Sequence, residues 1–125
     1  MKLHHIGIAT KDIKATRDYI KNLYPVIRET EILYDANQEA ELCMLTLEDG
    51  LGLELIMGEK VNSFVDKKQY IYHLCFEVQD IEKAISEYRK RRDIIMTNPT
   101  PAVLFDNRRV AFVFSKIGIV ELVEK

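Results

Sequence analysis

Two histidines and two glutamates of this 125-residue chain sit inside strand-like apolar runs: His5 in LHHIGIAT, Glu54 in GLELI, His73 in YIYHLCFEV and Glu121 in GIVELVE. Imidazole nitrogens and carboxylate oxygens together suit a divalent Co, Ni, Mn, Fe or Zn ion, and a set without thiolate suits Cu(I) or an iron–sulfur cluster less well. A carboxylate in an apolar strand costs on the order of several kcal/mol to desolvate unless cations or strong donors compensate it. A metal ion supplies that compensation. Four protein ligands would leave two octahedral positions for water or substrate, as a Lewis-acid catalyst needs. Taken singly, such a His or Glu is more often a hydrogen-bonded or rim residue. Their joint placement is what points to a site.

That placement follows from an internal repeat. Residue 73 follows residue 5 by 68 positions, and the same step carries Asp12 onto Asp80 and Ile13 onto Ile81. Residue 121 follows residue 54 by 67 positions, within the matching stretches Leu53–Ile56 and Val120–Val123. Each half thus holds a His in its first strand and a Glu in its last. Strand side chains alternate faces, so His5 falls opposite Ile6 and Ile8, and His73 opposite Leu74, Phe76 and Val78. By the same alternation Glu54 opposes Leu53 and Leu55, and Glu121 opposes Val120 and Leu122. All four therefore belong on the face that the helix of each half leaves uncovered.

The elements that must position them are legible as periodicity. Leu3 to Thr10 is a strand run, and Ile13, Thr16, Ile20 and Leu23 then recur at helical spacing until Pro25. Strand signals follow at Val26 to Tyr34, Ala40 to Leu47 and Leu51 to Met57. After a polar link, Tyr70 to Val78 reads as a strand and Ile81, Ala84, Ile85 and Tyr88 as a helix. Three further strands are expected at Ile94 to Met96, Arg108 to Ser115 and Ile119 to Val123. The expected fold class is α+β: two tandem βαβββ modules forming a curved mixed sheet around a cleft, with the helices outside. The expected organisation is one domain, with module 1 at about residues 1–58, a link at 59–69 and module 2 at about 70–125. In the link, Val61, Phe64 and Val65 could form a short amphipathic turn docking on the sheet.

Composition narrows the function classes. With 18 Lys+Arg against 20 Asp+Glu the net charge is −2, which excludes a polybasic nucleic-acid binder. The chain is 47% hydrophobic with only 5 Gly and 3 Pro, as expected of an ordinary globular protein. No apolar run approaches the roughly 18 residues of a membrane span, and no leader pattern opens the chain, so a cytoplasmic protein without a membrane partner is expected. Cys43 and Cys75 read as small buried hydrophobes, Tyr72 as packing under the second helix, His4 as a surface or rim residue, and Arg89 to Arg92 as a solvated helix end.

LHHIGIATKDI, GLELI, YHLCFEVQDI and RRVAFVFSKIGIVELVE resemble the paired βαβββ modules of the vicinal oxygen chelate (glyoxalase/bleomycin resistance) superfamily over essentially the whole chain. Within it the chain resembles methylmalonyl-CoA epimerases and small bacterial lactoylglutathione-lyase-like proteins. The resemblance implies His5, Glu54, His73 and Glu121 as ligands of one divalent metal ion. It implies proton transfer at a carbon next to a carbonyl, with Glu121 as both ligand and proton shuttle. The substrate implied first is an acyl-CoA thioester, and the alternative is a thiol hemithioacetal handled by a glyoxalase-like lyase. A third reading is a non-catalytic small-molecule-binding protein of the same fold. A homodimer is expected, with metal ligands from one chain or two. Epimerases of this type have an acidic residue just before the third strand as a second acid/base. The matching position here is Asn37, with Asp35, Glu39 and Glu41 nearby. Cys43, Met44, Phe112 and Phe114 are candidate cleft-lining residues whose facing depends on one step of register.

Overall fold

A computed structural model describes residues 1–125. Its contacts divide the chain into two compact units, residues 5–72 and residues 1–4 with 73–125. The class is α+β, and no helix is long and apolar enough to cross a membrane.

In the unit of residues 5–72, β1 (Lys2–Ala9) leads into α1 (Ile13–Leu23). Asp12 starts the helix by accepting a hydrogen bond from Ala15 N on Oδ1 at 3.0 Å, which satisfies one of the donors a helix start leaves open. The strands that follow are β2 (Val26–Glu29), β3 (Leu33–Asp35), β4 (Ala40–Leu47) and β5 (Gly52–Met57). β5 runs parallel to β1 with Gly7 level with Glu54, and β4 runs antiparallel to β5 with Met44 level with Glu54. The sheet order is β2-β4-β5-β1, with β3 also on β4. Ile13 and Ile20 of α1 pack on Cys43, Leu45 and Leu55, with Ile8, Leu53 and Met57 at the margin. Fully burying one such Leu or Ile side chain is worth about 1.5–3 kcal/mol.

The expected strand from Val26 to Tyr34 is two strands. The register shifts between Val26 and Arg28. Thr30 then pairs with Met44 through its own N–H and through its hydroxyl, which accepts from Met44 N at 2.9 Å where a ladder carbonyl would stand. A Thr side chain competing for a backbone donor ends regular pairing there. The link forms a 3-10 turn (Glu59–Val61) and α2 (Asn62–Asp66), with Val61 buried and Phe64 and Val65 half-buried. Tyr72 packs on this helix and not under the second long one: its ring lies 5.1 Å from that of Phe64.

The other unit repeats the plan with β6 (Ile71–Val78), α3 (Ile81–Lys90), β7 (Ile94–Ile95), β8 (Thr100–Pro101), β9 (Arg109–Ser115) and β10 (Gly118–Glu124). Asp80 caps α3 as Asp12 caps α1, accepting from Lys83 N at 3.0 Å. β10 runs parallel to β6 and antiparallel to β9, in the order β6-β10-β9-β7. The β9–β10 hairpin turns at Gly118, whose φ of +100° strains an L side chain. α3 covers a core of Val78, Ala111, Val113, Val120 and Leu122 with its own Ile81 and Ile85. Between β7 and β9, where no strand was expected, β8 and a 3-10 turn (Val103–Phe105) bring Phe105 into the interior.

Candidate metal-binding pairs and their surroundings

Each unit places one His and one Glu of the sequence reading against each other on its helix-free face. In the unit of residues 5–72, His5 sits two residues before Gly7 on β1, and Gly7 is level with Glu54 on β5. This diagonal brings His5 Nε2 to 3.4 Å from Glu54 Oε1. In the other unit, His73 sits two residues before Cys75 on β6, and Cys75 is level with Glu121 on β10. The same diagonal brings His73 Nε2 to 3.2 Å from Glu121 Oε1. Both pairs are essentially removed from solvent, with exposures of 0–2%.

The donor set fits a metal ion. A neutral imidazole lone pair and an ionised carboxylate that face each other repel, so either a proton on Nε2 or a shared cation must lie between them. Burial raises that demand, because the interior screens charge less than water does. His5 with Glu54, and His73 with Glu121, each offer one nitrogen and carboxylate oxygens for a divalent ion, and no thiolate is needed.

The surroundings differ. Met44 is the cross-strand neighbour of Glu54, and Phe112 is that of Glu121. The Phe112 ring stands edge-on to His73, with centroids 5.6 Å apart at 86°, a favourable aromatic arrangement that limits rotation of the imidazole. Cys43 belongs to the helix side instead, where burial pushes its thiol up in pKa despite the hydrogen bond to Thr30 O. Phe114 is half exposed. Cys75 is buried beside Glu121.

The residues around the expected second acid/base are occupied elsewhere. Asp35 is buried at the end of β3, accepting from Asn37 N at 2.9 Å and from the Gln38 amide at 3.2 Å in the turn that follows. Glu39 is exposed and paired with Lys60 at 3.6 Å. Glu41 is level with Met57, which packs on the α1 side, so Glu41 lies on that side too. Asn37 itself is exposed and carries an amide, which does not shuttle protons.

One charged pair was not singled out from sequence. Arg108 Nη1 donates to Glu77 Oε2 at 3.0 Å on the helix-free face that carries His73 and Glu121. This bond holds the Glu77 carboxyl below the usual carboxylate range. Strand alternation puts Glu77 on the face of His73, but nothing local in the sequence says what answers its charge. His4 is half-buried, its ring edge-on to Phe105 at 5.4 Å. The Arg89–Arg92 run ends α3 in solvent, with Arg91 and Lys90 paired to Glu87.

The family model described as the Glyoxalase/Bleomycin resistance protein/Dioxygenase superfamily matches residues 4–112. The mitochondrial methylmalonyl-CoA epimerase of Dictyostelium discoideum is 29% identical over 136 aligned positions, covering 99% of this chain and 78% of that protein. Among solved structures, a hypothetical protein of Bacillus halodurans superposes with a TM-score of 0.77 at 25% identity, covering 99% of this chain and 94% of that one. The methylmalonyl-CoA epimerase of Mycobacterium tuberculosis gives 0.78 at 19% identity, covering 98% and 87%. A variant of the Streptomyces coelicolor methylmalonyl-CoA epimerase in complex with 2-nitronate-propionyl-CoA gives 0.75 at 21% identity, covering 100% and 97%. The last two likenesses carry the fold alone.

Proposed function

The chain belongs to the glyoxalase/bleomycin resistance protein/dioxygenase superfamily, and from that premise we propose that it is a divalent-metal-dependent enzyme of the methylmalonyl-CoA epimerase kind, moving a proton at a carbon next to a thioester carbonyl. The observation that carries this reading is the duplicated buried pair, His5 with Glu54 and His73 with Glu121, built on the same diagonal in two repeat-related units. In this reading each of the four side chains is a metal ligand. The similarity to the Dictyostelium epimerase supports the substrate class.

A bound divalent ion supplies Lewis-acid neutralisation of the charge that grows on the substrate oxygen as the proton leaves carbon. Glu121 takes that proton on a carboxylate oxygen and later returns it. His73, fixed edge-on by Phe112, keeps Glu121 oriented between the two transfers. Burial of both pairs keeps bulk water from competing for the proton.

A second reading is a lactoylglutathione-lyase-like enzyme acting on a thiol hemithioacetal. It is favoured by the amide at Asn37 and by the engagement of Asp35 and Glu39 elsewhere, since a proton returned by Glu121 alone stays on one face of the substrate.

Metal content after cobalt or nickel loading and desalting, followed by α-proton exchange of methylmalonyl-CoA into D2O, tests the proposal. About one ion per chain is expected, lost in His73→Ala and in Glu121→Ala, together with exchange by the loaded wild type. Turnover of methylglyoxal plus thiol without exchange would favour the second reading. Metal-loaded protein inert to both substrates would remove both.

A further inference from the structure

Adjacent arginines on β9 and its entry point to opposite faces and are used differently. Arg109, on the α3 side, spends four donors: Nε and Nη2 donate to Glu124 at 3.0 and 3.1 Å, and Nη1 and Nη2 donate to Glu82 at 2.7 and 2.9 Å. It ties α3 to β10. Arg108 spends one bond on Glu77, although a guanidinium carries five N–H groups. Its Cζ lies 6.0 Å from the Phe105 ring centroid, and its side chain remains 32% exposed. Lys125 directly follows β10, its N–H donating to Val78 O at 2.8 Å, and its positive charge acts on Glu77 as well. Arg108 thus meets the Glu77 carboxylate at the end of the face whose middle carries His73 and Glu121, with His4 and Lys125 acting on the same carboxylate.

We propose that Arg108, backed by Lys125, is a specificity residue that receives a phosphate group on the remote half of the substrate. The inference rests on the reading of His73 and Glu121 given above. Glu77 lies four residues beyond His73 on β6, about 13 Å at the rise of a strand. A group bound there cannot take part in proton transfer, so it must be joined to the reacting acyl group by a long arm. Its contact is the same in the ground and transition states, which places its effect on KM and not on kcat. The planar fork of donors and the doubly charged surroundings suit phosphate, and Glu77 keeps the guanidinium in position until the anion arrives.

The test compares wild type, Arg108→Gln and Arg108→Lys in the metal-loaded enzyme. The substrates are methylmalonyl-CoA, its 3′-dephospho form and methylmalonyl-pantetheine, which has no phosphate. For the CoA thioester, Arg108→Gln should raise KM about tenfold with kcat within about twofold, and Arg108→Lys should recover part of the loss. With the pantetheine thioester KM should not change. The dephospho substrate identifies the phosphate: an unchanged penalty assigns the diphosphate, and a vanished one the 3′-phosphate. An equal KM increase for the pantetheine thioester would make the Arg108–Glu77 pair purely structural, and no change with any substrate would also overturn the proposal. If wild type turns over none of these thioesters, the functional reading has failed separately. Calorimetry with CoA alone then decides: binding weakened in Arg108→Gln supports the phosphate site, and equal or absent binding overturns it.

Discussion

The two His–Glu pairs share a backbone construction and differ in what surrounds them. His5 and Glu54 have the unbranched side chain of Met44 across from Glu54. His73 and Glu121 lie beside an aromatic ring that orients the imidazole, and their face continues into the Arg108–Glu77 ion pair. The outer sides diverge too. α3 is anchored by the Arg109–Glu82–Glu124 network. Around α1 the polar ties are the Thr10–Thr16 hydroxyl pair at 2.7 Å and the ion pairs of Lys21 and Arg17 with Glu29 of β2. The two units thus share strand register and helix caps, while the surroundings of one pair add an aromatic ring and an ion pair. In the proposed enzyme, the pair of residues 5–72 has a ligand role alone, and the other pair also handles the substrate.

The sharpest way to break that asymmetry is to remove proton-carrying ability without removing an oxygen ligand. Glu121→Gln should lower the α-proton exchange rate by about 10²–10⁴ with metal content retained, whereas Glu54→Gln should cost less than about tenfold. Equal losses in the two variants would mean that the pairs are functionally equivalent. On the side of similarity, Asp12→Ala and Asp80→Ala should each lose about 1 kcal/mol of stability to denaturant, and the double variant should lose the sum. A loss in only one variant would show that the caps do not contribute alike.

The smallest expected effect concerns acid. Arg109 holds the carboxyls of Glu82 and Glu124 below their ordinary value of 4.5. A carboxyl lowered in the folded state adds stability above its unfolded pKa and loses it as pH falls through the folded value. Arg109→Gln should therefore lower Tm near pH 7, and its gap to wild type should narrow between about pH 5 and pH 3. The gap should be small and salt-sensitive, because these groups face solvent. A gap independent of pH would assign the role of Arg109 to packing.

Much of this was legible without coordinates. Apolar periodicity located α1 and α3, and Asp12 and Asp80 marked their starts, because caps and amphipathic faces are local properties of a sequence. Alternation put His5, Glu54, His73 and Glu121 on helix-free faces for the same reason. Locally hidden were the break at Thr30, where a hydroxyl takes a ladder donor from Met44, and the stacking of Tyr72 on Phe64, since both partners lie far along the chain. The facing of Cys43 against Met44 turned on a register step that hairpin pairing sets.

What the sequence by itself determined is the repeat, the α+β class and the residue types able to bind a metal, all of which follow from spacing and side-chain chemistry. Only the tertiary structure decided that His5 meets Glu54 and His73 meets Glu121 on matching diagonals, that Asp35 and Glu39 are already engaged, and that Arg108 answers Glu77 while Arg109 answers Glu82 and Glu124. Those outcomes depend on strand register and on which charges pack within a few ångströms. Such pairings join residues tens of positions apart, and local sequence carries no record of them.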